Sequence, residues 1–455
     1  MDAASTAWLL AAFMGVSLMV PGLALFYGGM TGVRSMLNVI MMVLGACAVV
    51  AVVWTVVGYS AVFGDSYGHL GLLGDVTEHA GLADVLREDK DAAIPPALFA
   101  AFQALFAVIT VAIIAGAVVD RVRFGPWLVF SGVWALLVYL PVAHWVFALS
   151  AEDGSTVGGW ILNRLGAIDY AGGTAVHINS GVAGLAAVVA LGARLGWPSQ
   201  PRPTSIPFTV LGGGMLFFGW FGFNGGSALA AGNSASVVVL TTMNASFASL
   251  LAWLLVERVM DRHATALGAV SGLIAGLVAI TPACGAVSPM GALVVGAVAG
   301  AVCPLAIRLK YKLGYDDALD VVGVHLVGGV LGTLMVGLFA TPDAPNAATG
   351  LFYGGGLRLL GVQTVAVLAV LAYSFAVTWL IVKAIDRTMG MRLDAETERA
   401  GVDITVHGEA AWNLDGALHR LAASPAERAR EVVRSAEELA SAATRRSDAR
   451  DDGTE

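Results

Sequence analysis

The sequence predicts an all-α polytopic membrane protein of eleven transmembrane helices, arranged as a five-plus-five inverted repeat with a final helix left over. Three observations predict it. Hydrophobic residues make up 57% of the 455-residue chain against 13% charged, and the mean hydropathy is +0.78. The apolar residues are gathered into eleven runs of near-spanning length. One motif, read below, occurs twice and opens two runs that start from opposite faces. A soluble chain of this length would form two or three domains and would have too little interior to hide so much apolar surface. In lipid a spanning helix needs about 20 mainly apolar residues, which is what each run supplies.

In order, the runs cover approximately 7–30, 37–63, 96–119, 126–147, 169–193, 206–229, 236–256, 265–282, 289–307, 320–340 and 359–386. The first has no basic stretch ahead of it and exceeds the roughly 7 to 15 apolar residues of a signal peptide, so it is expected to be retained as a span. Basic residues alternate between the loops. One side carries Arg34, Arg121, Arg123, Arg194, Arg202, Arg258, Arg262, Arg308, Lys310 and Lys312; the other carries only Arg87, Lys90, Arg164 and Arg358. The positive-inside rule makes the first side cytoplasmic, with the N-terminus outside and the C-terminus inside. The long outer loop, 64–95, is acidic (Asp65, Asp75, Glu78, Asp84, Glu88, Asp89, Asp91), which favours cations near that face. The net charge of −8 resides in loops and tail, and no nucleic-acid partner is expected. Cys47, Cys284 and Cys303 lie scattered among apolar residues without metal-ligand spacing and read as buried small hydrophobes.

The duplicated motif begins the fifth and tenth runs: DYAGGTAVHINSGVAG at 169–184 and DALDVVGVHLVGGVLG at 317–332. Asp169 stands eight places before His177, and Asp317 eight before His325. Val176 and Val324 precede the histidines, and Gly181-Val182 with Gly184 matches Gly329-Val330 with Gly332. Copies entering from opposite faces are what an inverted repeat produces. A fainter match sets Phe26-Tyr27-Gly28-Gly29 in the first run against Phe223-Asn224-Gly225-Gly226 in the sixth. Eight helical residues rise about 12 Å, so acids at the helix starts would set both histidines near mid-depth in a core of roughly 30 Å. Intramembrane histidine is costly and marks a pathway, relay or ligand site. A single one could merely bridge two helices, but two at symmetric positions favour a functional pair. For Asp169, Asp317 and Asp320 a capping reading stays open, since an acid at a helix start accepts free N–H groups and suits the positive dipole end. A zinc site lacks further ligands, as neither motif holds Cys or Glu. Small residues recur through the spans (AIIAGAVV at 112–119, GALVVGAVAGAV at 291–302) and let helices approach. Aromatics cluster in FFGWFGFNGGS at 217–227 and FQALF at 102–106. Packing accounts for most of these rings, and a few facing an outer vestibule would attract a cation by about 0.5 to 2 kcal/mol each.

These motifs, with ITPACG at 280–285 and GVDITVHGEAAWN at 401–413, resemble those of the ammonium transporter (Amt/Rh) family in family order from about residue 7 to 413. The resemblance implies a homotrimer of eleven-span protomers, each with its own pore, in a bacterial-type plasma or inner membrane. It implies an outer recruitment site of Ser227, Phe106 and Phe147, with Phe106 and Phe223 stacked as a gate beneath. Asp169 would be the buried acid supporting ammonium binding or deprotonation. His177 and His325 would be the twin histidines of the lumen, lined also by Phe26 and Trp220. Many bacterial members carry Trp where this chain has Phe147, and Trp is the better cation-π partner, so weaker recruitment is expected. No cofactor and no metal are implied, and the chain is expected to be a transporter, not an enzyme.

The physical logic agrees with these roles. Ammonium matches potassium in size and charge, so selectivity must use its hydrogen donors, one of which Ser227 can accept. A bare cation in an apolar lumen carries a large desolvation cost, which deprotonation near Asp169 and passage as ammonia would avoid. Two imidazoles offer ammonia a donor and an acceptor. The chain divides into a transmembrane domain, 1–386, and a cytoplasmic tail, 387–455. The resemblance makes the first part of the tail a regulatory segment that packs under neighbouring subunits and couples to a PII-type regulator. His407 there is expected to be structural. Ser424-Pro425-Ala426-Glu427 has the capping-box pattern and predicts a helix over about 425–444. Two rival functions are a Rh-like facilitator of neutral ammonia or carbon dioxide, and an ammonium sensor signalling through its tail.

Overall fold

A helix ends where its last N–H and C=O groups find other partners, and the breaks between the runs are rich in such partners. Asp2 accepts from the backbone N–H of Ala4 and Ser5, and Ser205, Thr265 and Ser288 cap three later helices in the same way. Prolines 96, 207 and 289 occupy first-turn positions, where a missing N–H costs nothing. The computed structural model describes residues 1–87 and 92–412. Its helices are α1 (Ala3–Met30, interrupted at Leu18), α2 (Met36–Phe63), α3 (Pro96–Val118), α4 (Phe124–Phe147), α5 (Gly173–Leu191), α6 (Ile206–Gly226), α7 (Asn233–Met260), α8 (Ala266–Ile280), α9 (Pro289–Leu313), α10 (Val322–Phe339) and α11 (Arg358–Met389). A short α12 follows (Ala395–Ala400). Among the described residues β structure is limited to three isolated bridges.

Ten of these helices are long and apolar enough to cross a membrane, so the chain is a multi-pass membrane protein. The eighth expected span differs: α8 has 15 residues, about 22 Å of rise against a core of roughly 30 Å. It stops because Thr281-Pro282 turns the chain aside into a compact turn through Val287, held by Ala283 and Ala286 N–H bonds to Ile280 and Ala283 C=O. Two helix starts also differ from expectation. The helices of the duplicated motif begin at Gly173 and Val322, after their aspartates, and open with wide π turns that carry the histidines. Each histidine therefore lies within the first turn or so of its helix rather than two turns along it. Side-chain capping by Asp320 is not observed: its carboxylate pairs with Lys310 Nζ at 2.5 Å, and only its C=O accepts from the helix, at Val324 N–H.

Residues 1–409 form one compact unit and 410–455 a second; of the latter only 410–412 are described, and the predicted helix 425–444 lies outside the described residues. Within the first unit α1 packs along α6, α5 against α11 and α3, and α7 against α9 and α8. The two copies of the duplicated motif cross each other. A Cβ on Gly181 would sit 2.4 Å from the Leu326 nitrogen, and one on Gly329 would sit 3.0 Å from both Gly173 O and Ile178 Cγ1. Each motif's glycine, four residues past its histidine, thus receives the backbone next to the other motif's histidine.

On the face crowded with arginines, the carboxylate of Asp316 accepts from Arg121 Nη1 (3.1 Å) and from Arg194 Nε (2.9 Å) and Nη2 (2.7 Å), all inside the protein. Residues 391–409 close over this cluster. Leu393 N–H donates to Arg121 C=O, Arg392 donates to Leu191 and Ala193 C=O, and Glu398 accepts from Leu195 N–H. Asp403 caps α2 through Leu37 and Asn38 N–H, and His407 bonds Asn38 at 3.0 Å, a structural role. Burial alone would push the Asp316 carboxyl up, but the two guanidiniums outweigh it and hold it below its ordinary value. Its stabilisation is therefore present above the unfolded aspartate range of about 3.9 and is lost as pH falls through the lower folded value. Asp316→Ala leaves the buried Arg121 guanidinium without a carboxylate and leaves Arg194 with Asp120 alone, and is expected to cost about 3 to 5 kcal/mol. Denaturant unfolding in detergent micelles at neutral pH measures this, and a loss below about 1 kcal/mol would contradict it.

Candidate functional site

The chain reaches α5 through Ile168-Asp169-Tyr170 and then Gly172, whose φ of +111° is open only to glycine at low cost. That turn folds the Asp169 carboxylate back over the helix start. It accepts from Gly172 N–H (2.8 Å), Gly173 N–H (2.6 Å), Thr174 N–H (2.7 Å) and Thr174 Oγ1 (2.5 Å). Asp317 caps α10 likewise, through Val321 N–H (3.1 Å) and Val322 N–H (2.7 Å). The capping reading thus describes both acids. They differ in surroundings: Asp317 is 1% exposed and closed in, whereas Asp169 is half-buried rather than buried, at the wall of an outward-opening cavity.

That cavity, about 450 Å³, is lined by Phe106, Phe147, Asp169, Tyr170, Ser227 and Gln103 among others. Ser227 Oγ donates to Phe223 C=O at 2.8 Å, which aims its lone pairs elsewhere and leaves them free to accept. Phe147 meets Phe106 edge-on at 6.2 Å. The floor is the pair Phe106 and Phe223, stacked at 4.1 Å with an interplanar angle of 22° and almost wholly buried. Among the described residues, no side chain bearing a positive charge lines this cavity.

Below the stacked pair the column of rings continues. Phe223 lies 6.4 Å from His177 and 5.8 Å from Trp220, and Trp220 stacks on His177 at 5.5 Å and 18°. His177 and His325 stack at 5.3 Å, with their Nδ1 atoms 3.2 Å apart. A hydrogen bond between two like nitrogens requires one to carry the proton and the other the lone pair, so neutral rings hold opposite tautomers. Among the described residues, His177 Nε2 is buried with no protein partner. Beside His325 lies a chamber of about 20 Å³ walled by Leu23, Phe26, Ile109, Ile113 and Trp220. The volume suits a single molecule of water's size, and His325 is its main polar feature.

All nine residues singled out from the sequence therefore fall into one column: Phe147, Ser227 and Asp169 at the outer cavity, Phe106 and Phe223 beneath, then Trp220, His177, His325 and Phe26. Other side chains that the sequence does not mark share these surroundings. Gln103, Tyr170 and Asn346 also line the outer cavity. Thr281 accepts the Trp220 indole N–H at 2.9 Å, fixing the ring that stacks on His177. Gln363 bonds the backbone of Ile168. Thr281 lies within a quoted motif, and Gln363 is a polar residue inside an apolar run; nothing local to either indicates a partner.

Residues 7–412 match the model of the Ammonium Transporter Family. The chain is 50% identical over 436 residues to an ammonium transporter of Mycobacterium tuberculosis, covering 91% of each. Among solved structures it resembles Mep2 of Saccharomyces cerevisiae (35% identity, TM-score 0.77, 87% of this chain and 88% of that one) and a protein described as Sensor Amt Protein (28% identity, TM-score 0.80, 88% and 97%).

Proposed function

The chain belongs to the ammonium transporter family, and from that premise we propose that it recruits ammonium at the outer cavity and conducts ammonia through the histidine-lined lumen. One observation carries this reading: the change of chemistry across the Phe106–Phe223 pair. Above it, Ser227, the faces of Phe106 and Phe147 and the Asp169 carboxylate suit a hydrogen-donating cation. Below it, a chamber of about 20 Å³ with apolar walls excludes a hydrated ion, and a bare one would lose solvation worth far more than those walls return. A solute that leaves its proton near Asp169 passes as a neutral molecule of fitting size. His177 and His325, in opposite tautomers, then offer one donor and one acceptor.

The rest of the reading follows the family: eleven crossings with the N-terminus outside and the C-terminus cytoplasmic, a homotrimer in a bacterial-type plasma membrane, and a cytoplasmic face open to a PII-type regulator. The protein is a transporter rather than an enzyme. A second reading, an ammonium sensor that carries little flux, is favoured by the likeness to the Sensor Amt Protein.

Reconstitution into liposomes on a solid-supported membrane separates these. Ammonium pulses are expected to give saturable uptake of the nitrogen species. An accompanying current would mean the proton crosses too, and uptake without current would mean neutral ammonia alone. Absence of any uptake above empty liposomes would overturn the transport reading in favour of the sensor.

A further inference from the structure

We propose that Gln363 is the positioning residue for Asp169, tying α11, the helix outside the repeat, to substrate recruitment. This rests on the reading that Asp169 serves ammonium. Gln363 is fully buried near the outer end of α11. Its amide oxygen accepts the Ile168 N–H at 2.8 Å, and its amide nitrogen donates to Ile168 C=O at 2.7 Å and to Thr333 C=O at 3.2 Å. Both hydrogen-bond groups of one backbone residue are thereby paired as a neighbouring strand would pair them, but by a side chain. That residue immediately precedes Asp169.

On the other flank Tyr170 N–H donates to Pro282 C=O at 3.3 Å, in the turn after α8. Asp169 is therefore held between two anchors, one from α11 and one from α8. Its carboxylate then has little choice of direction. It spans the N–H groups of 172–174 and shows its remaining face to the outer cavity. The third bond of Gln363, to Thr333, reaches α10, the helix of His325.

A side chain needed only to fill space here would be apolar, because an amide buried among helices is costly unless fully paired. Gln363 directs both amide N–H bonds and its oxygen to main-chain groups, and removing the amide leaves the N–H and C=O of Ile168 facing an apolar setting. The Ile168–Tyr170 segment would then relax about the Pro282 anchor and move the carboxylate away from the Ser227 and Phe106 side of the cavity. Recruitment would weaken, whereas the rings and histidines below would stay as they are.

The test compares Gln363→Met, which keeps the volume and removes the amide, with Gln363→Glu, using uptake of labelled methylammonium into liposomes. Gln363→Met is expected to raise KM about tenfold with the maximal rate within about twofold, the size of effect expected from losing such bonds. The carboxyl introduced by Gln363→Glu, once protonated, offers one O–H and one carbonyl oxygen, much as the amide does. Relative to wild type at the same pH, the KM of Gln363→Glu is therefore expected to fall back toward unity on acidification. Gln363→Met with wild-type KM would overturn the proposal, as would a loss of maximal rate at unchanged KM in both variants. If Gln363→Met does not yield folded protein, the pH course of Gln363→Glu decides: a KM ratio that does not move with pH overturns it. Absence of uptake by the wild-type protein would instead defeat the reading on which it rests.

Discussion

Asp169→Ala is expected to abolish uptake of labelled methylammonium, and Asp169→Asn to abolish it nearly as completely. The two substitutions separate the two roles of this side chain. As a cap, Asp169 binds the N–H groups of Gly172, Gly173 and Thr174, and losing a cap costs about 1 kcal/mol. That would weaken the start of α5 without stopping transport. Asparagine caps about as well as aspartate, so Asp169→Asn can keep the Oδ1 bonds to Gly172 and Gly173 N–H while it removes the charge and replaces the oxygen facing Thr174 N–H by an amide NH2. The charge is the larger effect. A carboxylate about 4 Å from a cation in surroundings of effective dielectric ~20 is worth about 4 kcal/mol, or roughly a thousandfold in occupancy. Among the described residues lining the outer cavity there is no cationic side chain to oppose it. Uptake in liposomes with matched amounts of folded protein measures both variants. Wild-type rates from Asp169→Asn would leave Asp169 a cap and nothing more.

Gly181→Ala is expected to lower transport at least tenfold through geometry alone. Its new Cβ would stand 2.4 Å from the Leu326 nitrogen and 2.7 Å from its Cα, and backbone has no flexible end to move aside. Overpacking of this kind costs about 1 to 3 kcal/mol or more, and α5 and α10 must part to relieve it. Leu326 follows His325, and Gly181 lies one turn from His177, so the parting is transmitted to the Nδ1 pair. At 3.2 Å that contact has little slack before it exceeds hydrogen-bond range. Gly361→Ala in α11 is the control: nothing lies within 4 Å of its added Cβ, and alanine there favours the helix by about 1 kcal/mol. Transport by Gly181→Ala at the wild-type rate would show that the crossing tolerates a methyl group and that the histidine pair does not depend on it.

Much of the site was legible because its residues are out of place for their surroundings. A histidine in an apolar run, and an acid eight places before it, are visible against leucine and valine, and their duplication removes chance. The aromatic cluster at 217–227 is visible in the same way. What could not be read is how such residues are turned. Asp320 stands three places after Asp317 in the same short segment, yet with its backbone at a positive φ of 63° it pairs with Lys310 while Asp317 caps the helix. The eighth run reads as a span of ordinary length, yet it ends at Ile280 where Thr281-Pro282 turns away. Thr281 and Gln363 show no local sign of function, since each acts on a residue far off in sequence.

The division has a physical cause. Crossing a membrane is a property each segment has by itself: lipid supplies no hydrogen-bond partners, so a sufficiently long apolar run must satisfy its backbone internally as a helix. Composition and run lengths therefore indicated an all-helical, multi-pass membrane protein from sequence alone. Which side chains meet is a property of pairs of segments. His177 and His325 are separated by 148 positions, and their rings meet where the two motif helices cross closely at Gly181 and Gly329. The stacking of Phe106 on Phe223, the hold of Thr281 on Trp220 and the hold of Gln363 on Ile168 likewise exist only once the helices are packed.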